Sequence, residues 1–301
     1  MSKLPIVSVV CSCYNHKDYI IETLNAVVNQ TYKNIELIVV DDCSHDNSVQ
    51  VINEWLIDFP NVQFIQNPKN LGLNKSFNQA VKMSKGAYLI DLAADDLMLP
   101  NFVEDLMTVF LSENKQELAL AFGNASEINE NGEVLATIIG AEMVPKVHKA
   151  IAKGYYPYLL GDSKYICSVS AMYNRTVFEE LGGYDENLHF EDFDFWLRAT
   201  RNYKIAFIEK MLIHKIVLEN SMGSGFHVRK KASNKLQESF YKIVMSAYKT
   251  AENKDEYKAL LLRISTQAKW SLKNLNFDYF YRYVLLFFTV GFKVVRSFLL
   301  G

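Results

Sequence analysis

The chain has 301 residues, 50% hydrophobic and 22% charged, which is the balance of an ordinary globular protein and not of a disordered or fibrous one. Its 32 basic and 34 acidic residues leave a net charge of -2, so no basic field points to nucleic acid as a partner. The cysteines Cys11, Cys13, Cys43 and Cys167 have no second pair at zinc spacing and read as reduced thiols suited to a cytosolic compartment.

Met1 to Ile6 carries no apolar leader, which predicts a chain that is not exported. Ile6 to Cys13 is a Val-rich, nearly continuous apolar run, the pattern of a buried strand. It ends in the polar turn Tyr14-Asn15-His16, and Ile20, Ile21, Leu24, Val27 and Val28 then follow at helical spacing. Ile35 to Val40 is a second strand, stopping at Asp41-Asp42-Cys43-Ser44. Ser44 to Asn47 offers N-cap chemistry for a helix over Val49 to Phe59. A third strand, Val62 to Gln66, leads through Asn70-Leu71-Gly72 to a helix over Ser76 to Met83 that closes at Gly86. The fourth strand, Tyr88 to Leu92, is apolar apart from Asp91 and runs into Asp95-Asp96.

This alternation predicts an α/β fold with right-handed crossovers and a mostly parallel sheet flanked by helices. Three polar clusters follow strands, at Tyr14-Asn15, Asp41-Asp42 and Asp95-Asp96, and are expected to share one sheet edge. Two neighbouring carboxylates repel unless a cation lies between them. A hard divalent ion, Mg²⁺ or Mn²⁺, carried in with a diphosphate would serve; a solvated helix-capping turn is the plainer alternative.

After Pro100 the rhythm loosens. Phe102 to Ser112 reads as a helix, Leu118 to Phe122 as a strand and Asn131-Gly132 as a hairpin turn. Gly140 to Leu160 reads as loop, Tyr165 to Tyr173 as a strand, and Arg175 to Leu181 as a short helix closed by Gly182-Gly183. A helix opens at Glu191, and Ile205 to Ile208 and Met211 to Leu218 read as two final strands. From Arg229 a basic cluster with Lys230, Lys231 and Lys235 opens a helical tail. Tyr279 to Leu300 is apolar and aromatic, broken by Arg282, Lys293 and Arg296, and its uninterrupted core is too short to span a bilayer. An interfacial helix on an anionic leaflet is expected, against packing on its own domain or on a second copy.

The ordered blocks VSVVCSCYN, QTYKNIELIVVDDCSHDNS, NPKNLGLNKSFNQAVKMSKGAYLI, LAADD and LGGYDENLHFEDFDFWLR resemble family-2 glycosyltransferases with the GT-A fold, from Ile6 to about Ser221. The resemblance implies transfer of a sugar from a nucleotide-diphospho-sugar, most simply a UDP-sugar, to an acceptor hydroxyl with inversion. It implies that Tyr14 and Asn15 close over the nucleoside and that Asp42 reads the base edge. Asp95 and Asp96 match the region that holds the ribose and the metal-bound diphosphate, either of the two being a candidate metal ligand, and Asp192 matches the catalytic base. The chemistry makes the same demands: a weak hydroxyl nucleophile needs a positioned carboxylate, and a departing diphosphate needs positive charge.

There are departures. Ala93 stands where the family's first aspartate falls, and the family's later histidine falls on Leu218, leaving His214 and His227 as nearby candidates. The arginine often found near Asn78 is Phe77, so Lys75 is the candidate cation for the donor. The expected organisation is a glycosyltransferase domain over residues 1–228, with a nucleotide-binding half to 100 and an acceptor half beyond, and a C-terminal extension over 229–301. The implied setting is surface-polysaccharide synthesis on a lipid-linked glycan at the inner face of the cytoplasmic membrane. Two other readings are a sugar-1-phosphate nucleotidyltransferase, which should show a glycine-rich loop that Cys11 to Asn15 lacks, and a non-catalytic protein on the same fold.

Overall fold

The computed structural model describes residues 4–112, 117–218 and 232–299. Its centre is the parallel set β1 (Val7–Cys13), β2 (Ile35–Asp41), β3 (Gln63–Gln66) and β4 (Tyr88–Ala93), in spatial order β3-β2-β1-β4. β1 and β2 are buried on both faces, as their unbroken Val and Ile content requires. The helices between them, α1 (Ile20–Val28), α2 (Ser48–Leu56) and α3 (Leu73–Met83), cover the sheet with apolar faces such as Ile20, Leu24 and Val27. α3 begins earlier than its apolar pattern suggests, because Gly72, at φ 87°, takes the chain into the helix in a conformation favourable to glycine.

Beyond β4 the sheet turns mixed. β8 (Ala171–Asn174) pairs antiparallel with β4, and β6 (Leu118–Ile128) antiparallel with β8. β9 (Lys204–Ile216) runs parallel to β6, and β5 (Asp96–Met98) antiparallel to β9. β7 (Val134–Thr137) forms the expected hairpin with β6 over Gly132, at φ 81°. The four parallel strands thus present their C-terminal ends along one edge, and the mixed half closes beside it.

Several elements differ from their sequence reading. The two strands expected over Ile205–Leu218 are one, β9, whose exposed middle at Glu209 and Lys210 is carried past a register slip between Phe122 and Asn124 of β6. Only the last residues of the strand expected over Tyr165–Tyr173 are extended. The rest is two 3-10 turns, in which Asp162 accepts from the Lys164 N–H at 3.1 Å and Ser170 Oγ donates to the Cys167 carbonyl at 3.1 Å. The stretch read as loop holds α5 (Val144–Lys153) and α6 (Tyr156–Gly161), each with a proline in its first turn, after α4 (Phe102–Ser112).

α7 (Arg175–Glu180) and α8 (Glu191–Asn202) follow β8 and precede β9. The tail is helical, as α9 (Ala232–Thr250), α10 (Lys254–Lys273) and α11 (Phe277–Leu299). It is fastened to the body by buried Arg263 of α10, whose Nε donates to the Leu160 carbonyl at 2.8 Å and whose guanidinium lies 4.8 Å from the Phe193 ring centre. Burial lowers the Arg263 guanidinium to about 10, so the charge is held by the α6 carbonyls and the ring. Arg201 of α8 completes the dock, over Tyr156 at 4.0 Å and 3.3 Å from Glu256. Arg263→Leu should therefore lower the unfolding free energy by about 2 kcal/mol, read from urea denaturation, since it strips charged donors from buried carbonyls.

Candidate active site

The loops at the C-terminal edge of β1, β2 and β4 are stitched together by their own short polar side chains. Asn15, at φ 59°, gives its N–H to Ser44 Oγ at 2.9 Å, and its Oδ1 accepts from the His45 N–H at 2.7 Å. Ser44 also turns back to Asp41, so it does not cap α2. That role passes to Asp46, which accepts from the Ser48 N–H at 2.9 Å. Tyr14 is exposed, edge-on to His45 at 6.2 Å, which leaves a ring free at the rim. His16 Nε2 lies 3.9 Å from Asp95 Oδ2, and this joins the β1 loop to the β4 loop. The three polar clusters do share one edge.

Asp42 is buried and its carboxylate is a clasp. Oδ1 accepts from Asn67 Nδ2 at 2.9 Å, the Leu71 N–H at 2.8 Å and Ser76 Oγ at 3.1 Å, while among the described residues Oδ2 accepts only from the Gly72 N–H at 2.8 Å. The carboxylate thus pins the start of α3 and keeps acceptor capacity on Oδ2.

Asp95 and Asp96 part company. Asp95 sits in the turn between β4 and β5, half-buried, beside His16. Asp96 is the first residue of β5 and is buried opposite Lys215. Burial, then the charge of Asp95, raises its carboxyl well above the usual range. Among the described residues no three His, Cys, Asp or Glu side chains gather tightly enough to close around an ion by themselves. A magnesium-like ion shared with a diphosphate needs only one or two protein donors, and Asp95 supplies one. His16 adds a ring whose buried Nδ1 has no hydrogen-bond partner among the described residues. The donor set fits such an ion, centred on Asp95.

α8 opens with Glu191 and Asp192, both half-buried. Asp192 Oδ1 accepts from the Phe193 N–H at 2.6 Å, and its carboxyl is pushed up to about 6 by burial against that hydrogen bond. Glu191 is driven well above the carboxylate range by burial, then by the charge of Asp192. Burial and mutual repulsion thus raise both members of the Glu191–Asp192 pair. The loop before α8 is held by α3: Asn74 Nδ2 donates to the carbonyls of Asp185 and Leu188 at 2.9 and 2.7 Å, and Asn78 Nδ2 to that of Tyr184 at 2.9 Å. Gly183 packs so close that a Cβ there would stand 2.9 Å from Asn78 Oδ1.

Lys75 is exposed on α3, and Phe77 is wholly buried, 5.1 Å from the Tyr184 ring. His214 pairs with Ser126 on the neighbouring strand, while His227 and Glu219-Asn220-Ser221 lie outside the described residues. Asp194 pairs with Arg198 at 2.8 Å, and Asp185 Oδ1 accepts from the Asn187 N–H at 2.9 Å. The sequence reading gave no role to His16, Asn74, Asn78 or Tyr184. The asparagines at i and i+4, on one face of α3, were the available signal.

The profile described as glycosyl transferase family 2 matches residues 8–182. A glycosyltransferase of Methanocaldococcus jannaschii is 33% identical over 215 residues, 69% of this chain and 70% of that protein. Chondroitin synthase of Escherichia coli is 25% identical over 83% of this chain, which spans only 34% of the synthase. Among solved structures, Staphylococcus aureus TarS in complex with UDP-GlcNAc superposes with a TM-score of 0.65 at 21% identity, covering 86% of this chain and 71% of that one. The mannosyltransferase PcManGT of Pyrobaculum calidifontis, in complex with GDP-Man and Mn²⁺, superposes with a TM-score of 0.61 at 14% identity, covering 98% and 84%. These likenesses establish the GT-A fold.

The Asp42 clasp can be tested without any substrate. Asp42→Asn replaces an acceptor oxygen by a donor facing backbone N–H groups. It should cost about 2 kcal/mol in chemical denaturation, and an unchanged midpoint would contradict the clasp.

Proposed function

The chain belongs to glycosyl transferase family 2, and we propose that it moves a sugar from a UDP-sugar to an acceptor hydroxyl in a single inverting displacement, with Asp192 as the base. The observation that carries this reading is the state of Asp192: half-exposed at the head of α8, raised to about 6, and kept ionisable by the Phe193 N–H. A carboxylate of that proton affinity is a competent acceptor for a hydroxyl proton near neutral pH. The rim formed by Tyr14, Asn15 and Asp42 is assigned to the nucleoside, by the family motif and by the open acceptor position on Asp42 Oδ2. Bound UDP-GlcNAc in TarS supports a uridine donor.

Asp95, with His16 beside it, would hold a Mn²⁺ or Mg²⁺ ion; the ion, when bound, supplies the positive charge that steadies the leaving diphosphate. Mn²⁺ in PcManGT supports that assignment. Asp96, buried on β5, is the weaker metal candidate of the pair, and Lys75 is free to reach a donor phosphate from the rim. The nucleotide would occupy the side built by residues 1–100 and the acceptor the side built beyond them, with the extension over 229–301 outside the chemistry.

The acceptor is proposed to be a lipid-linked glycan. Phe277, Tyr281, Leu285, Phe288 and Phe292 form an exposed stripe along α11 at helical spacing, while Tyr283, Leu286 and Val290 face inward. Among the described residues no helix is long and apolar enough to cross a membrane. An aromatic stripe beside Arg282 and Lys293 suits the surface of an anionic leaflet. The glycosyltransferase family leaves no place for the nucleotidyltransferase alternative.

A panel of nucleotide-sugars with Mn²⁺ or Mg²⁺ tests the donor. Metal-dependent release of UDP from one UDP-sugar is expected, and no turnover across the panel would overturn the reading. Turnover should rise as pH climbs through about 6, because the base must lose its proton first. Asp192→Asn should keep UDP binding and lose roughly 10²-fold or more in rate. The full chain should sediment with anionic vesicles, and Phe288→Ser with Phe292→Ser should weaken that about tenfold or more; equal sedimentation of both proteins would retire the membrane surface.

A further inference from the structure

The first turn of α8 carries two acids, yet its own sequence does not fix where that turn begins. Phe190 stands at the N-cap and supplies no side-chain acceptor, so the short polar residue that usually sets a helix start is missing. The segment leading in, residues 185–190, lies largely at the surface and is held from outside. α3 holds one side of it through Asn74, whose Nδ2 donates to the carbonyls of Asp185 and Leu188.

α9 holds the other side. Ser239 is buried, and its Oγ accepts from the His189 N–H at 2.8 Å. The Phe240 ring lies 4.0 Å from that of Phe190 and 6.0 Å from that of Phe193. Glu191 and Asp192 are thus bracketed along the chain by residues that rest on α9, His189 and Phe190 before them and Phe193 after. α9 is itself firmly backed. Gln237 accepts from Ser271 Oγ of α10 at 2.7 Å, Phe240 meets Trp270 at 6.2 Å, and Tyr241 lies 5.4 Å from Tyr283 of α11. Farther along, a cavity of about 240 Å³ lined by Leu197, Ile243 and Ala247 among others lies between α8 and α9, and Arg201 reaches Thr250 Oγ1 at 3.2 Å at its far end. A tail that merely packed on the body would close that space first. Here the directional contact sits at the end that carries the acids.

We propose that Ser239 and Phe240 of the C-terminal extension are positioning residues for the transfer reaction: together they fix the turn from which Asp192 meets the acceptor hydroxyl. The proposal rests on the assignment of Asp192 as base. Both residues act on the backbone and rings beside Asp192 and not on the substrate. Ser239 holds the backbone at His189 by a directional bond, and Phe240 supports the rings on either side of the acids. Placement matters because a general base must come within about 3 Å of the group it deprotonates, and an error of about 1 Å can cost roughly 10²-fold in rate. Asn74 alone would hold the segment from one side only. With α9 in place, the turn is clamped between two helices far apart in sequence.

The test uses the full chain carrying Ser239→Ala or Phe240→Leu. Each is assayed for Mn²⁺-dependent release of UDP from the UDP-sugar that the wild type accepts, with UDP affinity measured separately. The expected result is a kcat about tenfold lower, with UDP affinity and donor KM within about twofold of the wild type. In an Asp192→Asn background the same substitutions should lower the residual rate by less than about twofold, since a group that places the base then has nothing left to place. A merely structural role would give the same tenfold loss in both backgrounds, and that result overturns the proposal. Wild-type kcat in both variants overturns it too, as does a change confined to donor KM. If Ser239→Ala fails to fold by thermal melt, Phe240→Leu, which keeps apolar bulk, decides alone. A wild type that turns over no nucleotide-sugar, or Asp192→Asn at full rate, overturns the reading of function and takes the proposal with it. An active wild type with unaffected variants overturns the proposal alone.

Discussion

The arrangement depends on what the polar residues of α3 hold. Asn74 and Asn78 grip the backbone of residues 184–188, and Ser76 joins the Asp42 carboxylate. One short helix thereby fixes the Asp42 loop on one side and the approach to α8 on the other. The grip uses side-chain amides on backbone carbonyls, a directional contact that apolar packing could not replace. Its tolerances are tight, as the closeness of Gly183 to Asn78 requires. Glycine is needed there twice over, for space and for a φ of 71°.

Around that frame, acids are gathered in surroundings that resist their ionisation. Asp91, Asp96, Glu191 and Asp192 are all raised, with burial the first cause in each. They differ in what opposes burial. Asp192 has a helix N-terminal N–H, Asp91 a phenol, and Asp96 the more distant Lys215. Each carboxyl is thus raised by burial and held back by whatever donor its own element presents.

Much of the fold over residues 1–100 was legible in the sequence. Continuous Val and Ile runs, helical spacing and turn residues mark β1 to β4 and α1 to α3, and the polar clusters that follow those strands share the edge that a parallel sheet implies. The mixed half was harder, since its strands are short or interrupted. β5 is three residues long, β8 four, and β9 carries an exposed break that only its partner β6 explains. In the site, Asp192 stood out by motif, but the separation of Asp95 from Asp96 could not be read from adjacency. A turn residue and the first residue of a strand face different surroundings.

Phe193 directly follows Asp192 in the chain, and the guanidinium of Arg263 rests on its ring while its Nε holds the end of α6. The tail is consequently not a loose tether: α10 is clamped at once to α6 and to the first turn of α8, so whatever shifts the tail bears on the residue next to Asp192.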